Sequence, residues 1–121
     1  MGTMRTIEDN NKLIAEFLGY VQPHPDYPKS TYWYKKDESP LTILPFNYDW
    51  NWLMKVVDKI EDIEDVDGFS RYVFEIFLSN VNIIDNRYIL PVIETYERTK
   101  IEATYNAVIE FIKYYNNEDN N

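Results

Sequence analysis

Residues 70–93, with the sequence SRYVFEIFLSNVNIIDNRYILPVI, decide the fold of this chain. Large apolar side chains recur at every second position of Ser70–Leu78, which predicts a strand apolar enough to lie inside a sheet. Two further strands joined by a two-residue turn are predicted, at Val81–Ile84 and Arg87–Ile93 with Asp85-Asn86 between them. Pro91 cannot donate a backbone hydrogen bond, so it marks its strand as an edge strand or a bulge.

Three helices are predicted around these strands, at about 7–18, 50–63 and 100–115. Their ends carry capping signals: Thr6 and Asp49 as N-caps, Gly19 as a C-terminal stop, and a capping box from Thr99 to Glu102. The middle helix has a buried stripe formed by Leu53, Val56, Val57 and Ile60. We therefore expect an α+β fold in which the helices pack on a small, mainly antiparallel sheet.

The length of 121 residues predicts one compact domain over 1–121, with frayed ends at 1–5 and 116–121. The prolines of 20–28 predict an extended loop, and the aromatic residues of 31–34 predict a strand followed by a turn. A short second strand is expected at 41–44. No stretch resembles a membrane span or a secretory signal, so we expect a soluble protein.

Charge and composition exclude several classes of function. The net charge is −9, and residues 58–121 hold 14 acidic and 6 basic residues. Such a chain lacks the basic surface that a nucleic-acid-coating protein needs. The absence of cysteine excludes disulfides, thiolate metal sites and a cysteine nucleophile, and the single histidine leaves little room for a histidine-based catalytic triad. We therefore expect no catalytic residues, no cofactor and no metal.

An acidic group around the end of the middle helix is the best local candidate for a binding site. Four of its residues are spaced to share one helix face, and two more extend it: Asp58, Glu61, Asp62 and Asp65, then Glu64 and Asp67. Like charges at these spacings repel one another, at a cost of a few tenths of a kcal/mol per pair. The group is either a solvated face that keeps the chain soluble or a surface for a cationic partner.

The aromatic clusters at 32–34 and 48–52 are read mainly as packing residues, with a protein-binding platform as the alternative. Trp50 lies one residue off the buried stripe, so it is the member expected to be exposed and to anchor a partner. His24 is interpreted as a surface or packing residue. The acidic group lacks the spacing of a calcium loop, and no pair of carboxylates stands out as a glycosidase pair.

Three segments carry a resemblance to a known family: residues 11–20 (NKLIAEFLGY), 48–61 (YDWNWLMKVVDKIE) and 100–116 (KIEATYNAVIEFIKYYN). The chain resembles small phage and prophage proteins of Bacteroidetes-type genomes, of the phage ABA-sandwich type, in which helices cover both faces of a small sheet. The resemblance implies no catalytic residues, because its motifs are helix caps and core stripes. The acidic stretch at 58–67 and a longer hairpin region at 78–96 depart from it.

A phage origin implies a role in countering host defence. The function expected is that of a non-enzymatic anti-CRISPR inhibitor that acts in the host bacterial cytoplasm. Its partner would be the basic groove of a Cas nuclease effector or its guide-RNA complex, without direct contact to nucleic acid. Two alternatives stay open: a protein that binds a small signalling nucleotide, for which only Arg71, Arg87, Arg98 and Lys100 supply positive charge, and a phage structural or accessory protein.

Overall fold

The computed structural model describes residues 4–22, 33, 35 and 43–119, with side chains from Thr6 to Asn117. Three helices and three strands follow one another as α1 (Met4–Phe17), α2 (Trp50–Glu61), β1 (Tyr72–Phe77), β2 (Asn80–Asp85), β3 (Leu90–Tyr96) and α3 (Lys100–Asp119). The fold is α+β, as predicted. Three of the predicted features lie wholly or partly outside the described residues: residues 23–28 of the loop predicted over 20–28, the strand at 31–34 apart from Trp33, and His24.

The three strands form an antiparallel sheet in the order β1-β2-β3. Tyr72 pairs with Asp85 at one end of the sheet, and Asn80 pairs with both Phe77 and Tyr96 at the other. Because β3 returns beside β2, the central strand is β2. The 70–78 strand is predicted to lie inside the sheet, but among the strands that the structure describes β1 lies at an edge.

The hairpin turns also differ from the prediction. A two-residue turn joins β1 to β2 at Leu78 and Ser79, and Leu78 takes a left-handed φ of 54°. The predicted turn at Asp85-Asn86 is wrong, because Asp85 still belongs to β2 and residues 86–89 form the turn into β3. Pro91 lies in the outer strand β3 beside a register shift, so the prediction of an edge or a bulge is confirmed.

One face of the sheet packs on the helices. Tyr72, Val81 and Ile83 are fully buried there against core residues from all three helices. The α2 stripe is buried as predicted, at Leu53, Val56, Val57 and Ile60. On the opposite face Glu75, Phe77, Asn80, Glu94 and Tyr96 are exposed. The described helices thus cover one face of the sheet, whereas the family resemblance implies helices on both.

The capping predictions are confirmed at three helix ends. The Asp49 side chain accepts the Asn51 N–H at 2.9 Å at the start of α2, and Thr99 Oγ1 accepts the Glu102 N–H at 3.2 Å at the start of α3. Gly19 has a φ of 93°, and the Gly19 and Tyr20 N–H groups bond back to Glu16 and Ala15. This pair of hydrogen bonds is a Schellman motif, which ends α1.

Other helix bounds need correction. Thr6 is not an N-cap, because α1 begins at Met4. The middle helix ends at Glu61, two residues before the predicted bound. The segments predicted to be frayed, 1–5 and 116–121, are helical over 4–5 and 116–119. Ile43 and Leu44 belong to no strand.

Candidate functional site

The six acidic residues of the predicted site do not share one helix face. Only Asp58 and Glu61 lie within α2, and Asp62 is its C-cap. Beyond it the chain turns back, and Glu64 forms an isolated antiparallel bridge with Ser70. The continuous helical stripe predicted over 58–65 is therefore wrong, because the helix ends before the last of its residues.

Two of the six carboxylates stabilise the local structure. Glu61 Oε2 accepts the backbone N–H of Phe74 at 3.0 Å and so ties the end of α2 to the edge of β1. Asp65 Oδ1 accepts the N–H groups of Asp67 at 2.8 Å and Phe69 at 3.1 Å. These hydrogen bonds satisfy backbone groups of an edge strand and a tight turn. Both side chains therefore have a structural role that spacing did not reveal.

The other four carboxylates are exposed: Asp58, Asp62, Glu64 and Asp67. None of them forms an ion pair within the part of the chain that the structure describes. They lie within ten residues of sequence, where four negative charges repel one another and attract cations. We call these four residues the free acidic surface.

The prediction that Trp50 is exposed is wrong: it is half-buried and packs against the hydrophobic core, so only part of its ring is available to a partner. Trp33 is buried, and Trp52 packs edge-on against Phe46 with 6.2 Å between the ring centroids. The packing interpretation of these tryptophans is confirmed. Tyr48 is exposed, and Tyr32 and Tyr34 are outside the described residues.

A second charged cluster lies at the end of the sheet where Tyr72 pairs with Asp85. The Asp85 carboxylate is buried and accepts two hydrogen bonds from the Arg87 guanidinium, at 3.2 and 2.9 Å. Arg71 Nε lies 3.9 Å from the same carboxylate. The hydrogen bonds from Arg87 hold the pKa of Asp85 below its ordinary value, and Asp85 in turn raises the pKa of Arg87. The two arginines are thus held against a protein carboxylate.

No family model, no curated protein and no solved structure matches this chain. The candidate site therefore depends on its geometry. Among the described residues, no group of three or more carboxylate or imidazole side chains is arranged to hold a metal ion. No helix among them is long and apolar enough to cross a membrane.

The exposed apolar residues next to the acidic surface were missed by the sequence analysis. The turn at 64–70 exposes Val66 completely and Phe69 by 71%. The turn at 86–89 and the residue after it expose Tyr88, Ile89 and Leu90 by 60% or more. A hairpin turn at Asp85-Asn86 would place Tyr88, Ile89 and Leu90 in a strand, so the predicted turn position concealed their exposure. The two turns adjoin, because Asn86 Nδ2 donates to the Ser70 carbonyl at 3.0 Å.

A shallow groove runs beside α2 and includes two residues of the free acidic surface, Asp58 and Asp62. It is lined by Phe17 and Leu18 of the α1 end, by Tyr115 of α3, and by the charged residues Lys35, Lys55, Asp58, Lys59 and Asp62. Two of the lysines lie over aromatic rings, Lys55 over Trp52 at 3.8 Å and Lys59 over Phe17 at 5.7 Å. Helix C-termini and two carboxylates surround the three lysines, so positive charge is largely compensated here.

Proposed function

We propose that this protein is a non-enzymatic inhibitor that binds a basic surface of a partner protein. The observation that carries the proposal is the free acidic surface: Asp58, Asp62, Glu64 and Asp67 are exposed and make no ion pair among the described residues. Carboxylates this close in sequence raise the electrostatic energy of the chain, even though three lysines line the same groove as Asp58 and Asp62. A partner's lysines and arginines would lower it.

The specific form of the proposal is an anti-CRISPR protein of phage origin that acts in the host bacterial cytoplasm. Its partner is the nucleic-acid groove of a Cas nuclease effector or its guide-RNA complex, which is basic because it holds a phosphate backbone. An acidic protein competes for such a groove without contacting nucleic acid itself. The net charge of −9 and the resemblance to small phage proteins support this form.

The test is inhibition of target cleavage by a panel of purified Cas effectors loaded with guide RNA. The informative variant reverses the four free carboxylates: Asp58→Lys, Asp62→Lys, Glu64→Lys and Asp67→Lys. Glu61 and Asp65 stay unchanged, because their hydrogen bonds hold the fold. Inhibition by the wild type that weakens with salt, and its loss in this variant, are the expected results.

A matched control separates a local surface from net charge. Four exposed acids elsewhere are reversed instead: Glu8→Lys, Asp9→Lys, Glu16→Lys and Glu110→Lys. Both variants change the net charge by the same amount, so equal loss of inhibition would show that only the overall charge matters. No inhibition by the wild type of any effector would reject the anti-CRISPR form. Full inhibition by the first variant would reject the acidic surface.

A further inference from the structure

Five large apolar side chains are exposed together at one end of the sheet, and we call them the end patch: Val66, Phe69, Tyr88, Ile89 and Leu90. They belong to two turns, at 64–70 and 86–89, that are tied together through Asn86. Its side chain donates to the Ser70 carbonyl, and its backbone N–H donates to the Arg71 carbonyl at 2.8 Å. A cluster of large exposed apolar side chains on two joined turns is typical of a binding site.

The backbone of the second turn is fixed by several hydrogen bonds. The Arg87 N–H donates to Asp85 Oδ1 at 3.0 Å, and the Ile89 N–H donates to the Asp85 carbonyl at 2.8 Å. Ile89 has a left-handed φ of 56°, a conformation that a β-branched residue adopts only under constraint. The backbone of the turn is therefore held in one conformation, which reduces the entropy lost on binding.

The charges beside the end patch indicate the chemistry of its partner. Glu64 and Asp67 are exposed on the same turn as Val66, whereas Arg71 and Arg87 face the buried Asp85 carboxylate. The patch therefore has a negative rim on the side of the 64–70 turn, while on the side of the second turn the Arg87 guanidinium, paired with Asp85, lies 5.0 Å from the centre of the Tyr88 ring. A second copy of the chain would bring the same carboxylates against themselves, so like-charge repulsion disfavours self-association.

We propose that the end patch binds a basic amphipathic segment of the partner protein, with the apolar side of the segment on the patch and its lysines or arginines against Glu64 and Asp67. This inference rests on the proposed function and deepens it, since it makes the interface apolar at its centre and acidic at its rim. In such an interface a few buried apolar side chains provide most of the binding energy, and the charges orient the partner.

Two synthetic peptides test the inference directly. One is an amphipathic helix of leucine and lysine, and the other has glutamine at every leucine position, so that the two have equal length and charge. Binding to each is measured by fluorescence anisotropy with the intact chain. The leucine–lysine peptide is expected to bind more tightly, because only it offers an apolar face.

The informative variant is Val66→Ser with Ile89→Asn. Val66 is fully exposed, and asparagine tolerates the left-handed backbone at position 89, so the fold is expected to be kept. The matched control places the same changes on exposed residues elsewhere, Val21→Ser with Ile43→Asn. We expect the first variant to weaken binding of the leucine–lysine peptide by about tenfold or more, and the control to change it by less than about twofold.

Three results would overturn the inference. The first is that both peptides bind equally well or that neither binds. The second is that the Val66→Ser, Ile89→Asn variant binds the leucine–lysine peptide as tightly as the wild type does. The third is that sedimentation shows a concentration-dependent dimer of the wild type and that this variant abolishes the dimer. The first two results would not contradict the proposed function, which the charge-reversal experiment tests separately. If those reversals abolish Cas inhibition while the end-patch variant inhibits normally, the acidic surface acts without the end patch.

Discussion

The Arg87 guanidinium donates to both carboxylate oxygens of Asp85, from Nε to Oδ1 at 3.2 Å and from Nη2 to Oδ2 at 2.9 Å. Asp85 is only 1% exposed, at the last position of the central strand. A buried carboxylate is costly unless it is paired and hydrogen-bonded, and here it is both. The pair fixes the turn that carries Tyr88 and Ile89, so a structural ion pair positions the proposed binding surface.

Replacing Asp85 by asparagine is expected to destabilise the fold in a pH-dependent way. The pKa of Asp85 is lowered in the folded state, mainly by the Arg87 hydrogen bonds, so the carboxylate stabilises the fold above its ordinary pKa near 3.8. That contribution is lost as the pH falls through the lower folded-state value. Thermal unfolding of both proteins should show a gap at neutral pH that shrinks below about pH 4.

The exposed Asp67 provides the control for that experiment. Its side chain makes no ion pair among the described residues, so Asp67→Asn should leave the free energy of unfolding unchanged to within about 0.5 kcal/mol. A gap between wild type and Asp85→Asn that stays constant down to pH 2 would contradict the role given to the ionised carboxylate.

The strands and α2 could be predicted because their signals are local. Asp49 caps α2 and Leu53 begins a stripe with helical spacing, and both signals survive in the fold. The turn positions could not be predicted in this way. Asp85-Asn86 has favourable turn chemistry, but the Asp85 carboxylate is held by Arg71 and Arg87, and this keeps residue 85 in β2. The predicted strands leave residues 79–80 between them, whereas the turn lies one residue earlier, at Leu78 and Ser79, and Leu78 takes a left-handed φ although it is neither glycine nor asparagine.

The acidic site was predicted in part. The exposure of Asp58, Asp62, Glu64 and Asp67 follows from their charge, because ionised side chains stay in water unless they are paired. The engagement of Glu61 with the Phe74 N–H depends on where α2 meets β1, which is a tertiary contact between residues 13 positions apart. The end patch depends on the same kind of contact, since Asn86 and Ser70 join two turns that are distant in sequence.

Gly19→Ala is expected to destabilise the fold by about 1–2 kcal/mol, because an alanine at a φ of 93° has an unfavourable left-handed backbone. No atom lies within 4 Å of the added Cβ, so the cost comes from the backbone conformation. Gly19→Asn, which tolerates this conformation better, should recover part of the loss. Urea unfolding measures both. A Gly19→Ala variant as stable as the wild type would contradict the assignment of a Schellman end to α1.

Tyr105→Phe is expected to destabilise the fold because it removes a hydrogen bond to the buried side-chain amide of Asn11. The Tyr105 hydroxyl donates to Asn11 Oδ1 at 2.8 Å, and Asn11 Nδ2 donates to the Leu44 carbonyl at 2.8 Å and to Asn47 Oδ1 at 3.0 Å. Asn11 therefore joins α1, α3 and the segment before α2. Removing one partner leaves a buried acceptor unsatisfied, which costs about 1–3 kcal/mol.

The double variant Tyr105→Phe with Asn11→Leu tests whether that loss comes from the hydrogen bond. If it does, the second change should cost less in the Tyr105→Phe background than in the wild type. Additive losses would show that the hydroxyl and the amide stabilise the fold independently. Burial also raises the pKa of Tyr105, so its phenol should stay protonated when exposed tyrosines ionise in alkaline solution.

A small anionic nucleotide is expected not to stabilise this protein. Its phosphate would need uncompensated positive charge, but Arg71 and Arg87 face Asp85, and the groove lysines lie among Asp58, Asp62 and helix C-termini. The other two predicted sources of positive charge, Arg98 and Lys100, are exposed and have Glu97 and Glu102 close to them in sequence. A ligand at about 100 times its Kd would add about 2.7 kcal/mol to the stability, which is several degrees in Tm for a chain of this size. Thermal unfolding with a panel of cyclic nucleotides measures this shift. A dose-dependent rise that Lys55→Ala with Lys59→Ala removes would instead establish nucleotide binding in the groove between α1 and α2.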